Sequence, residues 1–169
     1  VIIIVDDGSN EETQNIITGL AEKTTVVHLD VNQGKGGAVM AGLKQAKKLG
    51  FSHALQIDAD GQHDLKSLST LLENAKKYPQ ALISGRPVYD DSVPKGRLYG
   101  RYITHFWVWV ETLSFEIKDS MCGFRAYPVE SLNEVIAYYQ FGTRMDFDIE
   151  VMVKSFWYDI EIRFIDTKV

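Results

Sequence analysis

Two hydrophobic periods alternate along the first half of the chain. Val1 to Val5 is an unbroken β-branched run, the pattern of a strand buried on both faces. Ser9 and Glu12 then make a capping box for a helix over about residues 10–23, with Ile16, Ile17, Leu20 and Ala21 inward. Thr25 to Leu29 is a short second strand, and Gly34 to Gly37 form a loop. Ala38, Val39, Gly42, Leu43 and Ala46 recur at helical spacing. His53 to Ile57 is a third strand. Asp64 caps a helix carrying Leu65, Leu68, Leu71, Leu72 and Ala75, Pro79 closes it, and Ala81 to Ser84 is a fourth strand.

Strands alternating with helices predict an α/β fold, a mostly parallel sheet with helices on both faces. Ligands of such sheets bind beyond the carboxyl ends of the strands. Asp6-Asp7, the Asp58–Asp64 cluster and Arg86 each follow a strand, which points to one shared cleft. The pattern changes after residue 86. Residues 87–98 read as a polar loop and 99–115 as an aromatic run with a basic front. "KDSMCGFRAYP" reads as a loop into a strand near Phe124–Tyr127. Helices over about 129–138 and 146–158 and an alternating final strand, "IEIRFIDTKV", complete a mixed second half. We read one domain, 1–169, with a nucleotide-binding-like half over 1–86 and a second half over 87–169.

Composition narrows the class. The 169 residues carry 18 basic and 23 acidic side chains, a net charge of −5, which argues against a general nucleic-acid binder. The single cysteine, Cys122, excludes an internal disulfide and a cysteine-rich zinc site; its simplest reading is packing, in a reducing, cytoplasmic compartment. No signal peptide is visible, and no apolar run approaches the roughly 20 residues of a membrane span.

The candidate chemistry concentrates in "IDADGQHD", residues 57–64. Asp58 and Asp60 leave a strand two positions apart. As the chain turns at Gly61, one carboxylate can reach a sugar or ribose and the other a metal, with the amide oxygen of Gln62 beside them. Such oxygen ligands suit Mg²⁺ or Mn²⁺. Asp64 reads as a helix cap, and His63 as near the site or on the surface. The glycine turn Gly34-Lys35-Gly36-Gly37 enters a helix, where backbone amides attract anions; it lacks Walker A spacing, and a plain tight turn is the alternative. Arg86, Lys95, Arg97 and Arg101 are either a solvated surface or phosphate ligands. Tyr102, Phe106, Trp107, Trp109 and Phe115 are either core or an element at a membrane interface. Asp146 and Glu150 share a helix face while Asp148 lies about 200° around; acidic residues in a first turn also answer the helix dipole.

Five stretches together resemble family 2 glycosyltransferases of the GT-A fold: "VIIIVDDGS", "NQGKGGAVMAGL", "QIDADGQHD", "KDSMCGFRAY" and "FDIEV", in the family's order. The last two look most like polyprenyl- or dolichyl-phosphate sugar transferases. The resemblance implies an inverting, metal-dependent enzyme that moves a sugar from a UDP- or GDP-linked donor to a lipid-phosphate or glycan acceptor. It implies that Asp6, Asp7, Lys35, Gly36, Asp58 and Arg86 face the nucleotide sugar, and that Asp58, Asp60 and Gln62 hold Mg²⁺ or Mn²⁺. Arg97, Arg101 and Arg125 would meet an acceptor phosphate. Asp148, Asp146 or Asp119 would serve as base for a hydroxyl acceptor, whereas a phosphate acceptor needs none. Contact with the inner face of a membrane would follow from a lipid acceptor. The chain opens on what resembles the family's second strand, so we expect these residues alone to transfer sugar weakly or not at all. Membrane helices of the lipid-phosphate members could lie beyond the C-terminus. A receiver-type domain leaves "DADGQH" and residues 97–165 without a role. A nucleotidyltransferase would need a glycine-rich basic loop directly after the first strand.

Overall fold

The computed structural model describes residues 1–58, 65–88 and 95–168, with the backbone only for 65, 95–98 and 168. Strands β1 (Ile3–Asp6) and β2 (Thr25–His28) form a parallel pair, with Ile3 opposite Thr25 and Asp6 opposite His28. A second sheet contains β3 (His53–Gln56), β4 (Leu82–Val88), β5 (Arg125–Pro128) and β6 (Ile162–Lys168) in the order β3-β5-β4-β6. Strand β5 is antiparallel to both neighbours, and β4 and β6 are parallel. The helices are α1 (Glu11–Thr18), α2 (Lys35–Lys48), α3 (Leu68–Lys77), α4 (Lys95–Thr112), α5 (Val129–Tyr138) and α6 (Phe147–Trp157). A 3₁₀ turn, Leu65–Ser67, leads into α3.

Alternation along the central strands feeds two cores, as the period of two requires. Leu82 and Tyr127 pack with Leu43 of α2, Leu132 and Val135 of α5 and Phe147, Val151 and Met152 of α6. Their neighbours Ile83 and Ala126 point the other way and meet Leu71 and Ala75 of α3, together with Cys122 and Phe124. Helices therefore cover both faces of the four-stranded sheet. Helix α2 also packs on β1 and β2 and so joins the two sheets.

Several local expectations change. Within the expected mixed α/β fold, the antiparallel strand falls at the centre of the four-stranded sheet, where β5 enters between β3 and β4. The first strand is not buried on both faces: Val1 and Ile2 are exposed and Ile3 to Val5 half-buried, since β2 is its only strand partner among the described residues. Helix α1 buries no residue; Ile16 and Leu20 face solvent. Its cap is Asn10, whose side chain accepts from Thr13 N, because the Ser9 N–H donates to Asp6. Strand β4 runs on to Val88, past its pairing with β5, which ends at Ser84. Pro87 thus lies where β4 has β6 on one side only, a position that tolerates a missing N–H.

The aromatic run becomes α4. Arg101, His105, Val108 and Thr112 recur every three or four residues and turn inward, where α4 packs on α6. Tyr99, Tyr102, Ile103, Phe106, Trp107 and Val110 lie on the exposed side; Trp107 is 58% exposed. Of that run only Trp109 is half-buried, and it donates from Nε1 to Ile117 O at 3.0 Å. Among the described residues no helix is long and apolar enough to cross a membrane.

Candidate functional site

Because β5 is antiparallel, its first residue, Arg125, pairs with Gln56, the last residue of β3, and with Ser84, the last residue at which β4 pairs with β5. The loop before β5 therefore reaches the rim formed by the carboxyl ends of β3 and β4. The N-terminal turns of α2 and α6 reach the same rim. Lys35 Nζ donates to Asp58 Oδ2 and to Asp148 Oδ2, each at 2.6 Å. Burial pulls the Lys35 pKa down, but the bonds to Asp148 and Asp58 outweigh it and hold the ammonium above its usual value. Gln56 Nε2 donates to Asp58 Oδ1 at 3.1 Å, and the Tyr127 hydroxyl donates to Gln56 Oε1 at 2.7 Å. Burial pushes the Tyr127 pKa up and keeps that hydroxyl a donor. Gly123 lies flush against Asp58: a Cβ there would press into the carboxylate.

Arg125 does not reach the surface. It is 0% exposed, donates from Nη2 to Ser120 O at 2.9 Å, and has Nη1 3.7 Å from Asp148 Oδ1. Burial would lower its pKa; Tyr127 and Asp148 more than offset that and keep it charged. The expectation that Arg125 meets an acceptor phosphate is thus corrected, since strand β5 turns it into the protein.

The acidic pair after β1 divides. Asp6 is buried; Ser9 N donates to its Oδ1 at 3.0 Å and His28 Nδ1 lies 2.9 Å from Oδ2. Hydrogen bonds with Ser9 and then His28 hold its carboxyl below the usual range. Asp7 accepts from Gln33 N at 2.6 Å and Gly34 N at 2.7 Å, clasping the turn into α2. Gly36 sits beneath the chain entering α6, where a Cβ would come within 2.5 Å of Phe147 Cβ, and Gly37 N donates to Thr143 O at 2.9 Å. That glycine turn is spent on close packing as well as on aiming Lys35. Asp146 is exposed at the head of α6, with Oδ1 accepting from Arg144 N at 3.1 Å.

A second cluster forms where α4 meets the loop before β5. Asp119 is buried; Oδ1 accepts from Met121 N at 2.9 Å and Cys122 N at 2.8 Å, and Oδ2 pairs with Arg101, whose Nε is 2.8 Å away. With both oxygens engaged, Asp119 holds the loop rather than standing free as a base. Beside it opens a cavity of about 410 Å³ lined by Arg86, Pro87, Arg101, Tyr102, His105, Trp109, Phe115, Lys118 and Asp119. Arg86 also makes a paired contact with Asp166 on β6, with Nε at 2.8 Å and Nη2 at 2.7 Å from Oδ1. Cys122 packs in the core, and burial raises its thiol pKa, as suits an inert side chain.

The rim thus unites Lys35, Asp58 and Asp148. The cavity unites Arg86, Arg101 and Asp119. Asp60, Gln62, His63 and Asp64 lie outside the described residues, as does the side chain of Arg97. Among the described residues no three His, Cys, Asp or Glu side chains converge as a metal cluster. The Asp58 oxygens are nonetheless the donor type that Mg²⁺ or Mn²⁺ takes together with substrate phosphates. Sequence reasoning missed Gln56, Tyr127, His105 and Lys118. Only Lys118 carried a signal, a cation one residue before Asp119.

A mixed α/β sheet covered on both faces, with acidic and basic groups at its carboxyl rim, is the architecture of the GT-A glycosyltransferases. The Glycosyl transferase family 2 model matches residues 1–136, and the chain belongs to that family. It is 29% identical over 164 residues to the dolichyl-phosphate beta-glucosyltransferase of Dictyostelium discoideum, covering 89% of this chain and 49% of that one. It is 30% identical over 149 residues to the polyprenol monophosphomannose synthase of Mycolicibacterium smegmatis, covering 79% and 53%. In fold it is similar to glucosyl-3-phosphoglycerate synthase of Mycobacterium tuberculosis, solved with Mn²⁺ and UDP-glucose. That likeness has a TM-score of 0.67 at 17% identity, over 99% of this chain and 58% of that one. The chain spans about half the length of the curated relatives it matches.

Two outcomes follow from this geometry. Gly123→Ala should destabilise the protein by about 1–3 kcal/mol through overpacking against Asp58, measured by urea denaturation; an unchanged midpoint would refute the close approach. His105 is buried with Nε2 unbonded, and burial holds its pKa below the ordinary 6.5, with Arg101 adding to the depression and Asp119 opposing it. The unfolded chain then takes the proton first, so this contribution to stability is complete above about pH 6.5 and lost as the pH falls through and below that value. His105→Gln should flatten that part of the stability–pH curve, and equal slopes in the two proteins would contradict it.

Proposed function

We propose that the protein transfers a sugar from a nucleoside-diphosphate donor to a polyprenyl or dolichyl phosphate, with a divalent cation, at the inner surface of a membrane. The observation that carries this reading is the loop before β5: Gly123 touches Asp58 at the rim, and Asp119 holds Arg101 at the cavity. One short segment thereby links a donor-side carboxylate to an acceptor-side cation. Residues 1–86 would supply most of the donor side and residues 87–169 the acceptor side. The names of the relatives support a lipid-phosphate acceptor.

On the donor side, Asp58 would face the ribose and, with Asp60 and Gln62, hold the cation; the turn into α2 would lie beside the diphosphate, with Lys35 turned onto Asp58 and Asp148. Bound Mg²⁺ or Mn²⁺ would neutralise charge on the departing nucleoside diphosphate. On the acceptor side, Arg86, Arg101 and Lys118 receive the phosphate, while Tyr102, Trp109 and Phe115 receive the first apolar carbons. The acceptor phosphate is already an anion, so attack on the anomeric carbon needs no base and inverts it in one displacement. Tyr102 and Phe115 line the cavity and are also exposed, which makes the cavity continuous with the outer aromatic face of α4. Tyr and Trp beside basic residues suit a headgroup layer. A glycan or lipid hydroxyl as acceptor would need a base, and Asp146 is the exposed one of the three carboxylate candidates.

UDP or GDP at about a hundred times its Kd should raise the melting temperature by about 5 °C or more with Mn²⁺ and much less without it. Asp60→Ala should remove the metal-dependent part. Absence of any shift with either nucleotide would sink the donor reading, and a persistent shift in Asp60→Ala would sink the metal assignment. For the acceptor side, flotation with vesicles containing a polyprenyl phosphate should recover the protein. Trp107→Ser with Phe106→Ser should reduce that recovery several-fold; equal recovery would argue against α4 as the contact face.

A further inference from the structure

Among the described residues, two arms reach Asp58. The neutral arm runs from Tyr127 through Gln56 to Oδ1, and the charged arm is Lys35 on Oδ2. The neutral arm is rigid because both members sit in neighbouring strands. A lysine is not: its four-carbon stem is flexible, so it stays put only if something holds its far end. Asp148 does so at 2.6 Å from a position 113 residues away. Asp148 is in turn fixed by charge. Its Oδ1 accepts no hydrogen bond and lies 3.7 Å from Arg125 Nη1, which also lacks a bonded partner. With Asp148 only 3% exposed and its oxygens directed at two cations, an incoming nucleophile would have to displace Lys35 to reach it.

We propose that Lys35 is a positioning residue for Asp58, held in place by Asp148, and that Asp148 serves this pair rather than accepting a substrate proton. This inference rests on the donor reading above, in which Asp58 faces the nucleotide sugar and its cation. The function of the Lys35–Asp148 pair is to preset one carboxylate orientation before the donor arrives, as partners of metal-ligating carboxylates do.

The test measures UDP and GDP binding by calorimetry, with Mn²⁺ and with EDTA, in the protein and in Lys35→Met, Lys35→Arg and Asp148→Asn. Lys35→Met should weaken binding about tenfold with Mn²⁺ and leave it unchanged in EDTA. Lys35→Arg, whose fork can span both carboxylates, should recover most of the loss. Asp148→Asn should give the Lys35→Met pattern, and the double variant should be no worse than either single one. Because Asp148→Asn strips the buried Arg125 of its counter-charge and so tests folding as well, Lys35→Met carries the decision, with its melting temperature checked in EDTA. Equal loss with and without Mn²⁺ would overturn the proposal, since Lys35 would then be touching the nucleotide itself. No loss in either condition would also overturn it. If the unsubstituted protein binds neither nucleotide, the donor reading fails and takes this inference with it; binding by the unsubstituted protein with an unaffected Lys35→Met sinks this inference alone.

Discussion

Arg125 carries a full charge with no exposed surface, and the rim of the sheet is arranged around that fact. Leaving such a charge unpaired would cost several kcal/mol. Asp148 answers it, Lys35 answers Asp148, and Asp58 answers Lys35, so the four formal charges cancel. The four residues stand at the start of β5, in the first turn of α6, in the first turn of α2 and just past β3. Neutralising one buried cation therefore sets the mutual positions of four elements from both halves of the chain. Close backbone approach reinforces it, with Gly36 under Phe147 and Gly123 against Asp58.

The direction of β5 decides which loop takes part. In a wholly parallel sheet, each strand contributes to the carboxyl rim the loop that follows it. An antiparallel strand contributes the loop that precedes it. Residues 119–124 thus arrive at the ends of β3 and β4, and the loop after β5 leads away into α5. Without that reversal, Gly123 and Asp119 would lie at the opposite edge from Asp58.

Much of the fold was legible because its signals are local. The helix over 129–138 and the β-strand, helix, β-strand rhythm up to Ser84 follow from spacing and turn residues alone. The cleft was legible in part: Asp58 does follow its strand, whereas Arg86 lies inside β4 and lines the cavity beside Arg101 and Asp119 rather than the rim at Asp58. The rest depended on pairing across the chain, which period cannot encode. Asp6 and Asp7 look alike in the sequence, yet one is buried against His28 and the other clasps the turn at Gln33 and Gly34. Ser9 and Asn10 are both good caps; Asp6 takes the Ser9 N–H and Asn10 caps the helix. The aromatic run gave no sign of which side would turn out, because Arg101 and His105, polar residues, occupy the buried stripe of α4. Arg125 read as a phosphate ligand because nothing in "CGFRAY" announces that every residue from Cys122 to Val129 is buried.

Asp119 shows how the rim and the cavity can be joined without being locked together. Its Oδ1 holds the backbone of Met121 and Cys122, and its Oδ2 holds Arg101. The two tasks use separate oxygens. An anion in the cavity that draws on Arg101 competes only for Oδ2, and the bonds from Met121 and Cys122 remain. Gly123, next in the chain, then keeps its place against Asp58 whatever occupies the cavity. A carboxylate that accepted from Arg101 and from the loop through one oxygen would pass every change at the cavity on to the rim. Dividing the work between two oxygens lets the cavity exchange its occupant while the rim stays set.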